Sequence, residues 1–368
     1  MSSHYSRLEA LPPGAQQVFD AAAKKSVFFS RPWFQNYIET VLPSPEQLRI
    51  YAAASDGQPC ALLPMQIKAD TRGIFRARTL AGLQNYYSSL FGLLVNERAG
   101  TAEFMNLAGQ LRRAEEHWEC LDFHPMDPDD PSFHDWLASL RRQGYWVDTY
   151  QCFGNWYMHV NGRNFAEYFE ALPSQLKNTI KRKRKQFEAN PANRLEIVQG
   201  GDKLEQAIAD YIKIYNASWK VPEPYPDFIP GLIRSCAEQG WLRLGLAYVG
   251  ETPAAAQIWI VQEGTAAIYK LAYDEQFAKQ SIGSILTTAL MQYAVDVDKV
   301  EVVDYLTGDD AYKRDWMSHR RERWGIVAYN PRSLGGLIEA ARHFGGKWAR
   351  QLRHKLNTST AADSDKNR

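Results

Sequence analysis

Cysteine is scarce in this chain. Cys60, Cys120, Cys152 and Cys236 are widely spaced over 368 residues. There is no Cys-x-x-Cys pair and no metal-ligand spacing. That excludes a disulfide scaffold and a zinc module, and no metal site is expected; the thiols read as buried groups in a reducing compartment. Long apolar runs are missing too. None approaches the roughly 18 residues of a membrane span, and the opening MSSHYSRLEALPPGA has no apolar core of signal-peptide type. The expected location is cytoplasmic, with any membrane contact peripheral, at the inner face. Charge of one sign is also lacking: 43 Lys and Arg against 42 Asp and Glu leave a net +1. A global bias toward nucleic acid is thereby excluded.

What is present suits a mixed α/β protein. The length is enough for two core-bearing domains. Aromatics are plentiful, with 11 Trp and 19 Tyr, which fits apolar pockets as well as cores. The chain also echoes itself. Leu48–Ile67 (LRIYAAASDGQPCALLPMQI) and Leu242–Val261 (LRLGLAYVGETPAAAQIWIV) align without a gap, and each reads as a β-hairpin. Further on, Glu119-x-x-Asp122-Phe123 and Glu301-x-x-Asp304-Tyr305 each lead to an aspartate, Asp127 and Asp309. Two matches in one order predict a duplicated domain. The expected division is 1–160, 161–330, an amphipathic basic helix over 331–355, and a disordered tail over 356–368.

The strongest functional signal runs from Ala266 to Ala294. A strand, Ala267–Tyr273, is followed by a polar turn and then by Gln280-Ser281-Ile282-Gly283-Ser284, where a helix opens. A small-residue turn at a helix start presents unpaired N–H groups at the positive end of the dipole, a site for an anionic phosphate. The next strand leads to Gly308-Asp309-Asp310-Ala311-Tyr312-Lys313.

This order of strand, Gln-x-x-Gly turn, helix, strand and Gly-x-x-x-Tyr-Lys resembles the GNAT acyltransferase superfamily. More narrowly it resembles the tandem-domain branch holding the Fem-type peptidoglycan aminoacyl transferases and the CelD-like envelope acyltransferases. The basic helix Lys177–Lys185 and the hairpin stand in that branch's order, and the likeness covers Phe165–Tyr329 well and Val27–Val160 faintly. A narrower likeness, to bacterial N-acyltransferases of the ceramide-synthase kind, rests on Ser218-Trp219-Lys220, Glu223-Pro224, Ala255-Ala256-Gln257, Tyr269–Tyr273 and Arg320–Trp324. The resemblance implies two GNAT-like domains in tandem, the first degenerate, in an α/β fold with a mixed sheet and flanking helices. It implies no tightly bound cofactor, with an acyl-CoA or acyl-carrier-protein thioester as co-substrate. In the family's pattern the last small position follows the glycine by two; here it is Ile285, which puts coenzyme A binding in question and leaves an aminoacyl-tRNA donor open.

The candidate residues follow. Gln280, Ser281, Gly283 and Ser284, with Tyr273, would hold the donor. Asp309, Asp310, Tyr312 and Lys313 are the catalytic candidates: amide formation needs a base for the amine proton, an acid for the leaving thiolate, and a cation near the tetrahedral oxyanion. Tyr269, Lys270, Trp219, Gln257, Tyr86 and Tyr87 would contact substrate. Strand alternation puts Tyr269, Leu271 and Tyr273 on one face and Lys270 on the other. The run Asn85–Ser89 occupies the place of the phosphate turn in the first half and would supply acceptor contacts; His124 is a possible base. Six cations in nine residues, Lys177–Lys185, offer a surface for anionic headgroups or tRNA, though such runs are commonly a solvated face. Leu334, Leu337, Ile338, Ala341, Phe344, Trp348 and Leu352 form one helical stripe, the pattern of an interfacial helix or of a docked one. The expected activity is N-acyl transfer to an amine, foremost a long-chain amino lipid such as a sphingoid base. The rivals are transfer from aminoacyl-tRNA or acetyl-CoA to peptidoglycan or polysaccharide precursors, and a non-catalytic membrane or nucleic-acid adaptor.

Overall fold

The computed structural model describes residues 4–68 and 77–347. Its strands are β1 (Leu48–Ser55), β2 (Gln58–Lys68), β3 (Thr79–Gly82), β4 (Leu94–Val95), β5 (Cys120–Met126), β6 (Trp146–His159), β7 (Arg194–Val198), β8 (Leu242–Val249), β9 (Thr252–Gln262), β10 (Thr265–Tyr273), β11 (Val302–Asp304) and β12 (His319–Tyr329). The helices are α1 (Ala15–Ala23), α2 (Arg31–Thr40), α3 (Thr101–Arg113), α4 (Pro131–Arg142), α5 (Phe165–Glu170), α6 (Ser174–Glu188), α7 (Leu204–Asn216), α8 (Phe228–Glu238), α9 (Ile282–Asp296) and α10 (Lys313–Trp316), with a further helix over 334–347. The strands form one mixed sheet in the order β1-β2-β3-β5-β12-β6-β11-β10-β9-β8-β7, with β4 beside β2.

The order repeats about its centre. The hairpin β1–β2 has the register of β8–β9: Leu48 faces Gln66 as Leu242 faces Ile260. Both ladders slip at the same step, Ala53/Ala54 and Ala247/Tyr248. In each case the partner just past the slip is a proline, Pro59 or Pro253. Proline has no N–H to give the ladder, so a bulge there costs little. The parallel pairs β3–β5 and β10–β11 follow in each half. The final strands are exchanged. β6, from the first half, pairs with β11, and β12, from the second, pairs with β5; β6 and β12 meet at the centre. The two halves of the sheet thus meet between β6 and β12, each completed by a strand from the other half of the chain.

The core follows from this layout. On one face of the second half, α5, α6 and α9 cover Ile268, Val303 and Tyr305. On the other, α1, α2, α7 and α8 share a single cluster with β8–β10, so the halves are joined through core. Asn36 on α2 donates to the carbonyl of Phe228 on α8 at 3.0 Å, a buried bond across the halves.

Ser174 is the first residue of α6, and Pro173 holds the cap position without a side-chain bond. In the helix over 334–347, Gly336 and Ala340 face the body while Leu334, Leu337 and Phe344 are exposed. Trp348, Leu352 and the 356–368 tail lie outside the described residues. No helix among the described residues is long and apolar enough to cross a membrane.

Candidate active site

The site is created where two parallel strands part. β10 and β11 pair through three positions, Thr265–Ala267 with Val302–Asp304. Beyond these β10 runs on to Tyr273, while the chain after Asp304 turns away through Leu306 and Gly308, both with positive φ. The gap is a cavity of about 350 Å³. Its walls are Ile268–Leu271 of β10, Tyr305–Thr307 after β11, Trp219 and Lys220 from the loop after α7, Tyr86, Tyr87 and Ser89 from the first half, and Asp310, Tyr312 and Lys313.

A bulge shapes the strand wall. β10 shifts register against β9 between Ile268 and Lys270. The extra residue puts Tyr269 and Lys270 on the same side of the sheet. Tyr269 packs near Phe28 and Trp33, and the Lys270 ammonium lies 4.9 Å from the Tyr87 ring centre. Ile268, Leu271 and Tyr273 face the opposite core. The alternation expected from sequence, with Tyr269 beside Leu271 and Tyr273, is thus corrected. A bulge leaves no mark in the period of so short a strand.

The first half supplies a wall. Asn85 accepts from the amide of Tyr87 at 2.9 Å, a local turn. Tyr87 then stacks on Phe228 at 4.0 Å, donates its hydroxyl to Glu223 at 2.6 Å, and offers its carbonyl to the Tyr269 hydroxyl at 3.1 Å. Ser89 and Thr307 join hydroxyls at 2.7 Å. The 85–89 run is therefore a clamp onto the second half, and the helix equivalent to α9 opens later, at α3. There the Glu103 carboxylate receives the amide of Gly100 at 2.9 Å. A carboxylate in the first turn satisfies the cap amide and adds negative charge where an anion would sit.

At α9 that place is open. Ser281 caps the helix in a left-handed conformation with no side-chain bond, and the first-turn amides of Gly283 and Ser284 are left without helical acceptors. Ile285 is buried among core residues, so its side chain is committed to the core. Tyr273 links this end to the cavity, its ring 4.6 Å from Trp219. Lys183 of α6 donates to the carbonyl of Lys279 at 2.8 Å beside the same turn.

Charge in the cavity is concentrated on three lysines. Lys270 is paired with Glu223. Burial lowers the Lys270 ammonium below its usual range, against the pull of Glu223. Burial pushes Glu223 up, but hydrogen bonds from Lys270 and Tyr87 outweigh it and hold the carboxyl below the usual range. Lys313 is buried; its ammonium donates to the Thr307 carbonyl at 2.5 Å and lies 3.2 Å from Asp310. Burial lowers it, with Asp310 opposing. Lys220 has no carboxylate partner among the described residues. Its ammonium sits 5.8 Å from the Trp219 ring and 5.9 Å from that of Tyr215, and burial, then the charge of Lys270, bring it down to about 8. Burial and the charge of Asp310 push Tyr312 up to about 12, which keeps it a phenol.

Most sequence-chosen residues meet here: Tyr86, Tyr87, Trp219, Tyr269, Lys270, Asp310, Tyr312 and Lys313 share the cavity. Gln280, Ser281, Gly283 and Ser284 lie beside it at the start of α9. Two do not belong. Asp309 is outside the cavity, held by Arg320 and by the Trp156 indole at 2.7 Å, and Arg320 first of all depresses its carboxyl. Gln257 is buried and satisfied, donating to the Gly283 carbonyl at 3.0 Å and the Thr287 hydroxyl at 2.7 Å while accepting from Trp259 at 2.9 Å; it fastens α9 to the sheet. His124 bonds Asp122 at 3.0 Å and lines a separate cavity of about 640 Å³ that meets the first at Tyr86 and Thr307. Cavity residues without a role from the sequence are Leu306 and Thr307, whereas Ser89 closes the expected Asn85–Ser89 run. Lys220 and Glu223 stood in an aromatic loop that marked them without giving them roles.

The basic helix is partly neutralised. Lys177 and Lys181 both pair with Glu170, and Arg184 pairs with Glu188. That leaves a thin track for a nucleic acid.

No curated relative matches the sequence. Among solved structures, FemX superposes with a TM-score of 0.59 at 12% identity, over 85% of this chain and 95% of that one. A conserved protein of unknown function from Bacteroides thetaiotaomicron VPI-5482 gives 0.55 at 10% identity, over 90% and 100%. The C-terminal domain of a protein from Agrobacterium fabrum, named as a lysylphosphatidylglycerol synthetase, gives 0.52 at 12%, over 88% and 95%. At these identities the likeness is one of fold. Residues 174–314 match the acetyltransferase (GNAT) domain family, so the second half of the chain carries a GNAT domain within a mixed α/β fold.

Proposed function

We propose that the protein is an N-acyltransferase that moves an acyl group from a coenzyme A thioester to the primary amine of a long-chain amino lipid. The reading is carried by one observation. The parted strands hold a lysine-lined cavity between the uncapped start of α9 and a wall contributed by the first half. The pyrophosphate of the donor fits the α9 amides. Its thioester then reaches the gap past Tyr273 and Trp219, and the acceptor amine attacks the acyl carbon directly. Lys313, fixed by the Thr307 carbonyl and Asp310, faces the negative charge that develops on the carbonyl oxygen. Tyr312, still a phenol at neutral pH, is a proton donor for the leaving sulfur. Asp310 serves by holding Lys313.

The acceptor class rests on the rim. Tyr86 (56%), Trp219 (50%) and Tyr312 (44%) line the cavity and are exposed. Exposed apolar side chains grouped at an entrance favour an amphiphile, and the lysines behind them disfavour a charged ammonium and so promote the neutral amine. Glu170 of α5 and Glu188 of α6, which pair with the basic residues of α6, weaken the aminoacyl-tRNA alternative.

The test is to incubate purified protein with palmitoyl-CoA and a sphingoid base, and separately with acetyl-CoA and an amino-sugar nucleotide. Products are read by mass spectrometry. Formation of the long-chain amide, lost in Lys313→Met, supports the reading. Acetylation of the sugar alone overturns the lipid acceptor, and no transfer in either arm overturns the acyltransferase.

A further inference from the structure

We infer that Lys220 is the base that takes the proton from the attacking amine. The inference rests on the transferase reading above and adds to it the group that reading lacks. Lys220 lines the cavity alongside Tyr312 and Lys313, so it touches the volume in which the amide forms.

The other titratable groups are committed elsewhere. Glu223 accepts from Lys270 and from the Tyr87 hydroxyl at 2.6 Å. Asp310 is in ion contact with Lys313 at 3.2 Å and is largely exposed. His124 opens onto the neighbouring cavity and is held by Asp122. Of the three lysines, Lys270 and Lys313 have carboxylate partners that favour their charged forms. Lys220 instead faces aromatic rings, Trp219 of its own loop and Tyr215 of α7. The charges acting on it are Lys270 of β10 and Lys313 of α10, which favour its neutral form, and Glu223 and Asp310, which oppose this. The result is an amine that shares its proton near neutrality, the range in which a general base works best.

The step balances. The amine nitrogen lone pair forms the C–N bond to the thioester carbonyl carbon, and that carbonyl's π pair moves to oxygen. The neutral Nζ of Lys220 takes one proton from the attacking nitrogen. As the carbonyl re-forms, the C–S bond breaks and its pair leaves on sulfur, which takes the Tyr312 proton. The Lys220 ammonium then returns its proton to the Tyr312 phenolate, directly or through water. The products are a neutral amide and a thiol.

The experiment compares wild type, Lys220→Met and Lys220→Arg with palmitoyl-CoA and two acceptors of equal chain length. One is an alkylamine, protonated at neutral pH. The other is an O-alkylhydroxylamine, already unprotonated there. With the alkylamine both variants are expected to lose about 100-fold or more in kcat, Arg included, because it keeps the charge and cannot give up its proton. With the hydroxylamine the loss is expected to stay below about 10-fold, since the N–H of its adduct is far more acidic than that of the alkylamine and gives its proton to water without a strong base. Wild type should also show an alkylamine rate that rises with pH through about 8, a limb both variants lack. Arginine restoring the wild-type rate overturns the assignment, as do equal losses with both acceptors. Wild type that acylates neither acceptor overturns the transferase reading, and the assignment with it.

Discussion

Lys270 of β10 and Glu223 of the loop after α7 form an ion pair with both side chains mostly shielded from water, 15% and 12% exposed. The pair ties the strand wall of the cavity to the loop that carries Trp219 and Lys220. Removing one partner leaves the other charge shielded and unpaired. Glu223→Gln is expected to cost about 3 kcal/mol, measured by urea unfolding. The double variant Lys270→Met with Glu223→Gln should cost less than the sum of the single changes. The sign with pH follows from the carboxyl. Its folded value lies below the unfolded one, so its contribution is complete above the ordinary glutamate range and disappears as pH falls through the folded value. Glu223→Gln should therefore flatten that part of the acid limb.

Gly308 leaves room for Lys313. Its φ is +106°, and a Cβ there would meet the Lys313 ammonium and the Asp310 carboxylate at 3.1 Å each. Gly308→Ala is expected to displace both groups and to lower kcat about 10-fold or more, while Lys313→Met lowers it about 100- to 1,000-fold. Steady-state kinetics with the long-chain acceptor checks both. A Lys313→Met enzyme with wild-type kcat would remove this lysine from the chemistry.

The sequence carried the second half further than the first. The Gln-x-x-Gly turn, the helix after it and the Gly-x-x-x-Tyr-Lys segment are local patterns; Asp310, Tyr312 and Lys313 line the cavity, and the turn lies beside it at the start of α9. The hairpin echo was legible because register survives where sequence drifts; the prolines at 59 and 253 hold the same bulge. The strand exchange was not legible, since pairing between β12 and β5 spans some two hundred residues and neither strand's composition names its partner. Gln257 and Asp309 were misjudged for related reasons. A polar residue in an apolar run reads alike whether it faces a ligand or satisfies a neighbouring helix, as Gln257 does with α9. Asp309 looks free until Arg320 arrives from the exchanged strand.

Gly283 separates donor binding from helix stability. It lies in the first turn of α9 without a positive φ, and an added Cβ would sit 3.4 Å from the Tyr273 ring, an ordinary contact. Gly283→Ala should therefore stabilise the protein by up to about 1 kcal/mol, seen as a higher Tm. The same methyl crowds the amides proposed for the pyrophosphate, so KM for palmitoyl-CoA is expected to rise about 10-fold with kcat nearly unchanged. An unaltered donor KM would move the pyrophosphate away from this helix.

The exchange of β6 and β12 makes each half incomplete. A fragment of residues 161–347 lacks β6 and bares the edge of β11; a fragment of residues 1–160 lacks β12 and bares β5. Unpaired central strands invite aggregation. Each fragment alone is expected to be insoluble or to lack a cooperative thermal transition, and co-expression is expected to restore a folded complex. A soluble, cooperatively unfolding 161–347 fragment would show that the second half is self-sufficient.

Lys220 is expected to be a liability to the fold for the same reason that suits it to catalysis. Its folded value of about 8 lies below the ordinary 10.5. Below pH 8 the folded state holds a charge it disfavours, and the full penalty is present. Between the two values the folded lysine is neutral while the unfolded one is still charged, so the penalty shrinks as pH rises; above the unfolded value it is gone. With allowance for partial exposure, the penalty at pH 7 is about 1–2 kcal/mol. Lys220→Leu should thus raise stability at pH 7 by that amount and by little at pH 10, measured by denaturant unfolding at the two pH values. A gain in stability coupled to a loss of turnover is the signature of a group retained for function. Loss of stability at pH 7 in this variant would mean that Lys220 is a packed structural cation and that the aromatic rings around it hold its charged form.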